Sequence, residues 1–359
     1  MRKKRNKKFD FIWLCLAALL HFGCDAEGLP EQVGSDKLIG GLKERLIANN
    51  GQGAAAVSGT NQGPSIVPAG NQMSQQSGSW QQPAMPTITI ASYNIQVFGT
   101  TKVGDRWVLE RLAATVRAFD VVAIQEIRAN DQTLIEQFIQ AINSDGSQYS
   151  YVIGPRVGRT SSKEQYAFVY NTKRIVCLKE QAYTVSDPAN LLHRPSLVAH
   201  FQVLAGGQAQ PFSFTLINIH TDPDEIDTEL NVLADVYKNV RQYEYPEDDI
   251  ILLGDLNCGP KEFKALGQIP GIFPLIQNVA TNTRQTKLYD NIVVDGYSSQ
   301  EFTGRSGVWN LQQYYKITLD DALRLSDHFP VWAEFSAYEA VPQTPAMATQ
   351  PAPPGQPMR

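Results

Sequence analysis

Imidazole, carboxylate and amide side chains stand at the ends of several apolar runs in this sequence. ITIASYN and VVAIQE end in Asn94 and Glu126, and DNIVV begins with Asp290. Turn residues explain an occasional Asp or Asn, but a charged group beside an apolar core is costly unless it is paired or binds a metal. The full set is Asn94, Glu126, His220, Asp255, Asn257, Asp290, Asp327 and His328.

These residue types indicate acid–base chemistry at a metal site. Carboxylate and amide oxygens are ligands of hard divalent cations, and imidazole exchanges protons near neutral pH. If the strand ends meet at one rim of a sheet, the cluster would hold a cation with an acid and a base beside it. The alternative, a set of unrelated loop residues, stays open on chemistry alone.

The elements that must position this cluster alternate between strands and helices. Residues 106–119, 133–143 and about 225–241 have apolar residues at helical spacing. The predicted strands are 88–94, 120–126, 166–171, 197–203, 212–220, 249–257, 290–294 and a last one that begins after Pro330. This alternation predicts an α/β fold in which helices cover much of the sheet.

Charge is distributed unevenly along the 359 residues, which carry 31 Lys+Arg and 36 Asp+Glu. The first 48 residues hold 9 Lys+Arg and 6 Asp+Glu, and the last 21 hold one basic and one acidic residue. Residues 49–338 therefore have 21 basic and 29 acidic residues, a net charge of −8. An acidic body argues against a high-affinity nucleic-acid binder driven by charge alone. Part of the excess fits a site whose carboxylates are offset by a bound cation.

The chain ends differ in composition from the middle. Residues 1–26 combine a basic start with the apolar run FIWLCLAALL, which predicts an export signal, and HFGC predicts a lipoprotein signal with Cys24 as the lipidated residue. Residues 27–86 predict a short helix and an uncharged, disordered linker. Residues 87–338 form the predicted catalytic domain, and the Pro-rich residues 339–359 a disordered tail.

Seven motifs in the predicted domain carry a family resemblance. SYNIQVFG, IQEIR, KEQYAFVY, LINIHT, GDLN, YDNIVV and SDHFPV follow one another in the order of the endonuclease/exonuclease/phosphatase superfamily. Residues 87–338 therefore resemble that superfamily, and its deoxyribonuclease I branch in particular. GDLN and SDHFPV are shared across it and specify mechanism, whereas IQEIR, KEQY and HRPS favour the nuclease branch.

The resemblance implies a fold and a cofactor. The fold is a four-layer α/β sandwich of two packed, mainly antiparallel β-sheets flanked by helices. The reaction is phosphodiester hydrolysis with Mg²⁺, for which Mn²⁺ substitutes, and with Ca²⁺ as an optional second ion. The implied substrate is nucleic acid, DNA before RNA, and the implied state is a monomer.

Site residues are carried over position by position from the same motifs. His220 and His328 resemble a paired acid and base, and Glu164 and Asp290 resemble the carboxylates that hold them. The further members of the implied site are Asp255 and Asn257 beside the water, Glu126, Asn94 and Asp327 at the metal, and Arg194 and Arg128 at the substrate.

Two departures from the branch affect the substrate prediction. Ser162 stands where the branch has a groove-stacking tyrosine, and Arg156 and Arg159 lie close enough in sequence to contact phosphates instead. The disulfide that usually follows GDxN has no second cysteine, so Cys258 is predicted to be a free thiol.

Other polar residues have structural readings. His200 is predicted on a strand face, His193 on a loop surface, and residues 244–249 in a solvated loop rather than a cation site.

Three functions remain open from the sequence. The first is an exported nuclease that is periplasmic, membrane-anchored through lipid or secreted. The second is a sphingomyelinase-like hydrolase of lipid or small-molecule phosphates, and the third is a binding module that has lost catalysis. The third predicts the loss of at least one of Glu126, Asp255, Asp290, His220 or His328, and all five are present.

Overall fold

A computed structural model of the protein describes residues 86–244 and 246–340. Its strands are β1 (Thr87–Phe98), β2 (Val121–Ile127), β3 (Tyr149–Ile153), β4 (Gln165–Asn171), β5 (Ile175–Cys177), β6 (Tyr183–Thr184), β7 (Leu197–Val203), β8 (Ser213–His220), β9 (Ile250–Asp255), β10 (Ile272–Pro274), β11 (Asp290–Asp295), β12 (Phe302–Val308) and β13 (Val331–Ser336). Its α-helices are α1 (Thr100–Gly104), α2 (Arg106–Val116), α3 (Thr133–Ile142), α4 (Ile226–Tyr243), α5 (Leu311–Tyr315) and α6 (Leu319–Leu325).

The strands form two sheets that are mainly antiparallel. The first sheet has the order β12-β13-β1-β2-β4-β3, and the second has the order β10-β11-β9-β8-β7-β5 with β6 beside β7. Each sheet contains one parallel pair, β1 with β2 and β8 with β9. Because the strands of a parallel pair end at the same edge, each sheet gathers two strand ends at one rim.

Three apolar layers hold the sandwich together. The inner layer lies between the sheets and includes Ile90, Phe168 and Phe214. Apolar residues of α2, α3 and α6 pack on the outer face of the first sheet, and those of α4 pack on the second. Burial of the inner layer dominates the stability of such a fold, since each fully buried large apolar side chain contributes roughly 1.5–3 kcal/mol.

The four-layer sandwich predicted from the resemblance is confirmed, and the predicted elements are found with shifted ends. The predicted strand 88–94 is longer, at Thr87–Phe98, and the predicted helix 106–119 ends earlier, at Val116. Short or polar strands such as β3, β6 and β10 were missed, because two to five residues carry too little periodicity to predict.

Buried amides connect the two sheets behind the rim at which these strands end. Gln125 Nε2 donates to Asn218 Oδ1 at 2.7 Å, and Asn218 Nδ2 donates to the carbonyls of Ile124 and Ala167 at 3.1 Å each. All of these groups are shielded from water, so their hydrogen bonds fix one relative placement of the sheets.

Several predictions about the chain ends lie outside the described residues. These are the export signal with Cys24, the linker up to residue 85 and the tail from residue 341. Glu339 is hydrogen-bonded to Ser213 and to the carbonyl of Gln210, so ordered contacts extend past residue 338. Among the described residues, no helix has the length and apolar character needed to cross a membrane.

Cys177 and Cys258 are both free, and burial raises the pKa of each thiol to about 12. The prediction for Cys258 is confirmed. Neither thiol is ionised near neutral pH, so neither is a reactive nucleophile.

Gly254 is required by the close approach of β8 and β9 just before Asp255. Its φ is +151°, and a Cβ there would lie 1.9 Å from the carbonyl oxygen of Ile219. No side-chain motion relieves a clash with backbone, so the two strands would have to separate.

We expect Gly254→Ala to lower the free energy of unfolding by more than about 2 kcal/mol. The measurement is a urea unfolding curve, in which the midpoint falls while the slope is unchanged. Gly104→Ala is the matched control, because nothing lies within 4 Å of the added Cβ and φ is not positive. Equal midpoints for wild type and Gly254→Ala would contradict the proposed clash.

Candidate active site

Three neighbouring strands of the second sheet place His220, Asp255 and Asp290 side by side. His220 closes β8 opposite Asp255 at the end of β9, and Asp290 opens β11 opposite the same residue. The strand ends that were predicted to meet therefore do meet, and the contact is set by sheet register.

The first sheet adds Asn94, which lies at the register shift near the end of β1, and Glu126 from the end of β2. Asn94 Nδ2 donates to Asp255 Oδ2 at 3.0 Å and to Glu126 Oε1 at 3.2 Å. Its Oδ1 accepts a hydrogen bond from the backbone amide of Gln96. The side-chain amide thus connects the two sheets at the rim and holds both carboxylates.

Each imidazole is held by its own carboxylate. His220 Nδ1 lies 2.8 Å from Glu164 Oε1, and His328 Nδ1 lies 2.8 Å from Asp290 Oδ2. The other ring nitrogens, both Nε2, each lie 3.5 Å from Asp255 Oδ2. Two imidazoles therefore converge on one oxygen with fixed ring orientations, an arrangement typical of paired proton-transfer groups.

The carboxylates favour the protonated form of both rings. Burial by itself would lower the pKa of His328, but Asp290 and then Asp255 outweigh it and raise that pKa well above its usual value. The pKa of His220 is raised in the same way: burial would lower it, but the negative charge of Glu164 outweighs burial. Burial would raise the pKa of Asp255, yet His328 and His220 hold it below its usual range.

Backbone strain is concentrated beside these groups. Glu126 has a φ of 63°, and Gln96 and Val97 have φ values of 44° and 49°. A positive φ is uncommon for residues other than glycine and unfavourable for β-branched valine. The strained segment directs the Val97 amide to Glu126 Oε2 at 2.8 Å. Strain of this kind persists where surrounding contacts fix it, which is typical of functional sites.

The side chains of the rim fit a hard divalent cation. Glu126, Asp255 and Asp327 offer carboxylate oxygens, and Asp327 Oδ1 is shielded from water without a hydrogen-bond partner. Ligand atoms of Asp255, Asp290 and His328 also lie within 4.8 Å of one another. An oxygen-rich donor set of this kind suits Mg²⁺, Mn²⁺ or Ca²⁺ better than softer metals.

Asn257 follows Asp255 at the same rim. Its backbone amide donates to Asp255 Oδ1 at 3.0 Å, and its Nδ2 donates to the carbonyl of Thr221 at 2.8 Å. A φ of 52° turns the chain here. With its amide nitrogen used, the side-chain oxygen is the group left for a ligand or water.

The four arginines predicted at the substrate differ in what they contact. Arg128 Nη2 lies 3.1 Å from Glu126 Oε2, and its side chain is 27% exposed. Arg194 is buried against Glu164, with Nε at 3.3 Å from Oε2. The guanidinium of Arg156 donates to three backbone carbonyls.

Arg159 forms a salt bridge with Glu225 at 2.7 Å. The guanidinium groups of Arg156 and Arg159 are therefore both engaged by other groups of the protein. Of the four arginines, Arg128 is the one that is partly exposed and also contacts a carboxylate of the rim.

The structure adds positioning residues that the sequence analysis missed. Thr281 Oγ1 donates to Asp290 Oδ2 at 2.7 Å, and Ser326 Oγ donates to the Asn94 carbonyl at 2.6 Å. Ser326 adjoins the Asp327-His328 motif, which was an available signal. Nothing local marks Thr281, because its contact with Asp290 depends on the folded loop between β10 and β11.

Lys102 is a third missed residue. Its Nζ donates to the carbonyls of Ile95 and Leu325, both at 2.7 Å, and so joins the ends of two segments that carry rim residues. Burial lowers its pKa to about 8, although Asp327 and Glu126 favour the charged form.

The prediction that His193 lies on a loop surface is wrong. His193 is buried, with Nδ1 at 3.3 Å from Asp222 Oδ2. Its backbone amide donates to the fully buried carboxylate of Glu229 at 2.6 Å. This contact fixes the loop that carries Arg194, and a helix residue 36 positions away supplies it.

Comparisons with known proteins agree with this geometry. The model of the endonuclease/exonuclease/phosphatase family matches residues 91–328. The chain belongs to the endonuclease/exonuclease/phosphatase family. The resemblance stated from the motifs is therefore confirmed.

Individual relatives of this family member are deoxyribonucleases. The chain is 30% identical to deoxyribonuclease gamma of Homo sapiens over 263 residues, which cover 68% of this chain and 84% of that protein. It is 28% identical to deoxyribonuclease-1 of Gallus gallus, with 68% and 91% covered. A solved family protein from Bacteroides thetaiotaomicron matches with a TM-score of 0.46 at 16% identity, and covers 70% of this chain and 98% of that one.

We expect Asp290→Asn in this family member to lower the pKa of His328 more than that of His220, because Asp290 is the charge that most favours the His328 imidazolium. Glu164→Gln is the matched variant and should lower the pKa of His220 more. The measurement is an NMR titration of the imidazole Cε1 protons in metal-free protein. Unchanged titration of His328 in Asp290→Asn would refute the pairing.

Proposed function

We propose that this protein is an exported, divalent-metal-dependent endonuclease that hydrolyses phosphodiester bonds of DNA with low sequence specificity. The observation that carries the proposal is the convergence of two carboxylate-held imidazoles on Asp255, beside Glu126. Membership of the family and the deoxyribonuclease relatives support a nuclease over other hydrolases.

His220 and His328 act as the acid–base pair in this proposal. Hydrolysis of a phosphodiester requires one group to accept a proton from the attacking water and another to protonate the leaving oxygen. Glu164 and Asp290 hold the two Nδ1 atoms, which leaves both Nε2 atoms directed to the rim. Asp255 and Asn257 orient the attacking water in this proposal.

Glu126, Asp327 and Asn94 are the residues that would hold the metal. A bound Mg²⁺ supplies charge compensation at a non-bridging phosphate oxygen, since a phosphodiester resists nucleophiles through its own negative charge. The Val97 amide and the Arg128 guanidinium hold Glu126 in place.

DNA binding rests on a small number of cationic groups. Arg128 provides the exposed guanidinium next to the catalytic carboxylates, and such a group contacts phosphate without reading base sequence. Ser162 is exposed and cannot stack as a tyrosine would, so groove contacts should be weaker than in a protein that has that tyrosine. Low sequence specificity follows from backbone contacts of this type.

Export is proposed on the sequence of residues 1–26. The basic start, the short apolar run and Cys24 favour a protein that is lipid-anchored or released on the outside of the membrane. Cys177 and Cys258 are both free, so the described part of the fold does not depend on a disulfide between them.

We expect the purified full-length protein to nick supercoiled plasmid in Mg²⁺ or Mn²⁺ and to lose this activity in EDTA. His328→Ala and Glu126→Ala should each lower the rate by about 10²–10⁴-fold, the size of a lost acid–base group or metal ligand. His200→Ala is the matched control, because this imidazole lies on β7 and contacts Thr215 rather than the rim.

The outcome also decides between substrate classes. Intact plasmid from folded, metal-loaded protein that hydrolyses sphingomyelin or a small phosphodiester would replace the nuclease with the lipid or small-molecule phosphodiesterase. Full nicking by His328→Ala would remove His328 from the acid–base pair.

We expect Arg128→Ala to reduce plasmid nicking at least tenfold more than hydrolysis of a small phosphodiester. Glu126 keeps its hydrogen bonds to Val97 and Asn94 without Arg128, so the loss falls mainly on DNA contacts. Arg305→Ala is the control for charge, because Arg305 pairs with Glu334 on the strands away from the rim. Equal losses on both substrates would assign Arg128 to the catalytic site in general.

A further inference from the structure

A second group of buried carboxylates lies at the end of β9 that is opposite to Asp255. Asp249 directly precedes β9, Glu301 directly precedes β12, and Glu339 follows β13. One oxygen of each lies within 4.8 Å of the other two. A strand of this length spans about 20 Å, so the group is remote from the catalytic rim. The prediction that residues 244–249 form only a solvated loop is wrong for Asp249.

These carboxylates have no matching positive charge. Asp249 is 2% exposed and Glu301 is 4% exposed. Within residues 86–244 and 246–340, no lysine, arginine or histidine forms a salt bridge with Asp249, Glu301 or Glu339. Burial, followed by the charges of Glu301 and Asp248, raises the pKa of Asp249 to about 9. Clustered buried charges without a counterion are strongly unfavourable.

Polar atoms around the group are also left unsatisfied. Asp249 Oδ1 and Glu301 Oε2 are shielded from water and accept no hydrogen bond from the backbone or from a basic side chain. The fully buried hydroxyl of Ser299 lies next to Asp249 and favours its ionised form. Buried polar groups in folded proteins are nearly always satisfied, so two such carboxylate oxygens in one place indicate a missing ligand.

Two further oxygens of the group accept hydrogen bonds from backbone amides, which hold Glu301 and Glu339 in place. Glu301 Oε1 accepts a hydrogen bond from the Ala340 amide at 2.6 Å. Glu339 Oε1 accepts from the Ser213 amide at 2.8 Å. The free oxygens are thereby directed to a common space by contacts that do not depend on any ligand.

We propose that Asp249, Glu301 and Glu339 form a binding site for Ca²⁺. Oxygen donors from three separate chain segments suit Ca²⁺, which accepts six to eight oxygens in flexible geometry. Mg²⁺ requires near-ideal octahedral geometry and retains several waters, which fits this buried group less well. Glu247 and Asp248 add negative charge beside Asp249, which favours a cation at this group.

The bound ion would join the two sheets. Asp249 begins β9 in the second sheet, whereas Glu301 and Glu339 flank β12 and β13 in the first. Without the ion, the carboxylates repel one another across this junction or must take up protons. Calcium therefore stabilises the sandwich at the end remote from catalysis.

The test is thermal unfolding of the full-length protein, first treated with EDTA and then titrated with CaCl₂. We expect Ca²⁺ at ~100 times its Kd to raise the Tm by about 5 °C. The increase should persist in Glu126→Gln, which removes a ligand at the catalytic rim, and should fall below about 1 °C when Glu126→Gln is combined with Glu301→Gln. Glu301→Gln without Ca²⁺ should melt above the wild type, because one repelling charge is gone.

Two results would overturn the proposal. One is a Ca²⁺-dependent increase that is retained in Glu126→Gln combined with Glu301→Gln, which would place the ion elsewhere. The other is a wild type that does not respond to Ca²⁺, which would leave a pair of carboxyl groups that share a proton.

If Glu301→Gln does not fold, Glu339→Gln is the substitute variant. In Glu126→Gln, calorimetric titration with CaCl₂ then measures Ca²⁺ binding at the Asp249 group alone. This binding must be absent when Glu126→Gln is combined with Glu339→Gln.

Discussion

The fully buried carboxylate of Asp255 imposes the constraint from which the arrangement of the rim follows. An ionised carboxylate loses a large hydration free energy when it is buried, so it persists only among donors and opposite charges. Asn94 and the backbone amide of Asn257 supply donors, and His220 and His328 supply positive charge. These partners come from both sheets, so one electrostatic requirement fixes groups that are distant in sequence.

Satisfying that requirement also orients the two imidazoles. The imidazoles that compensate Asp255 are themselves oriented by Glu164 and Asp290, and each therefore keeps a defined nitrogen at the rim. The positive φ values at Gln96, Val97 and Glu126 show that the backbone adopts a strained conformation where it places the carboxylate of Glu126. Orientation in advance of substrate binding is the main contribution a protein can make to such a reaction.

Buried carboxylates lie at both ends of β9, but their negative charge is compensated differently at each end. At the catalytic end, Asp255 lies among two imidazoles and several donors. At the other end, Asp249 lies among further carboxylates with unsatisfied oxygens. The charge of Asp255 is offset by two imidazoles, whereas no basic side chain of the described residues offsets the charge of Asp249. A cation that binds there would make stability sensitive to calcium while the chemistry stays at the opposite rim.

The sequence by itself determined the α/β class, eight of the thirteen strands, the three longest helices and the strand-end residues of the rim, because apolar periodicity and strand-end polar residues are local signals. Thr281, Lys102 and Glu229 could not be found this way, since each acts through a contact made by a distant loop or helix. The same holds for the buried state of Asp249. Only the tertiary structure brings Glu301 and Glu339 to it, because strand pairing across the sandwich decides which charges share one interior.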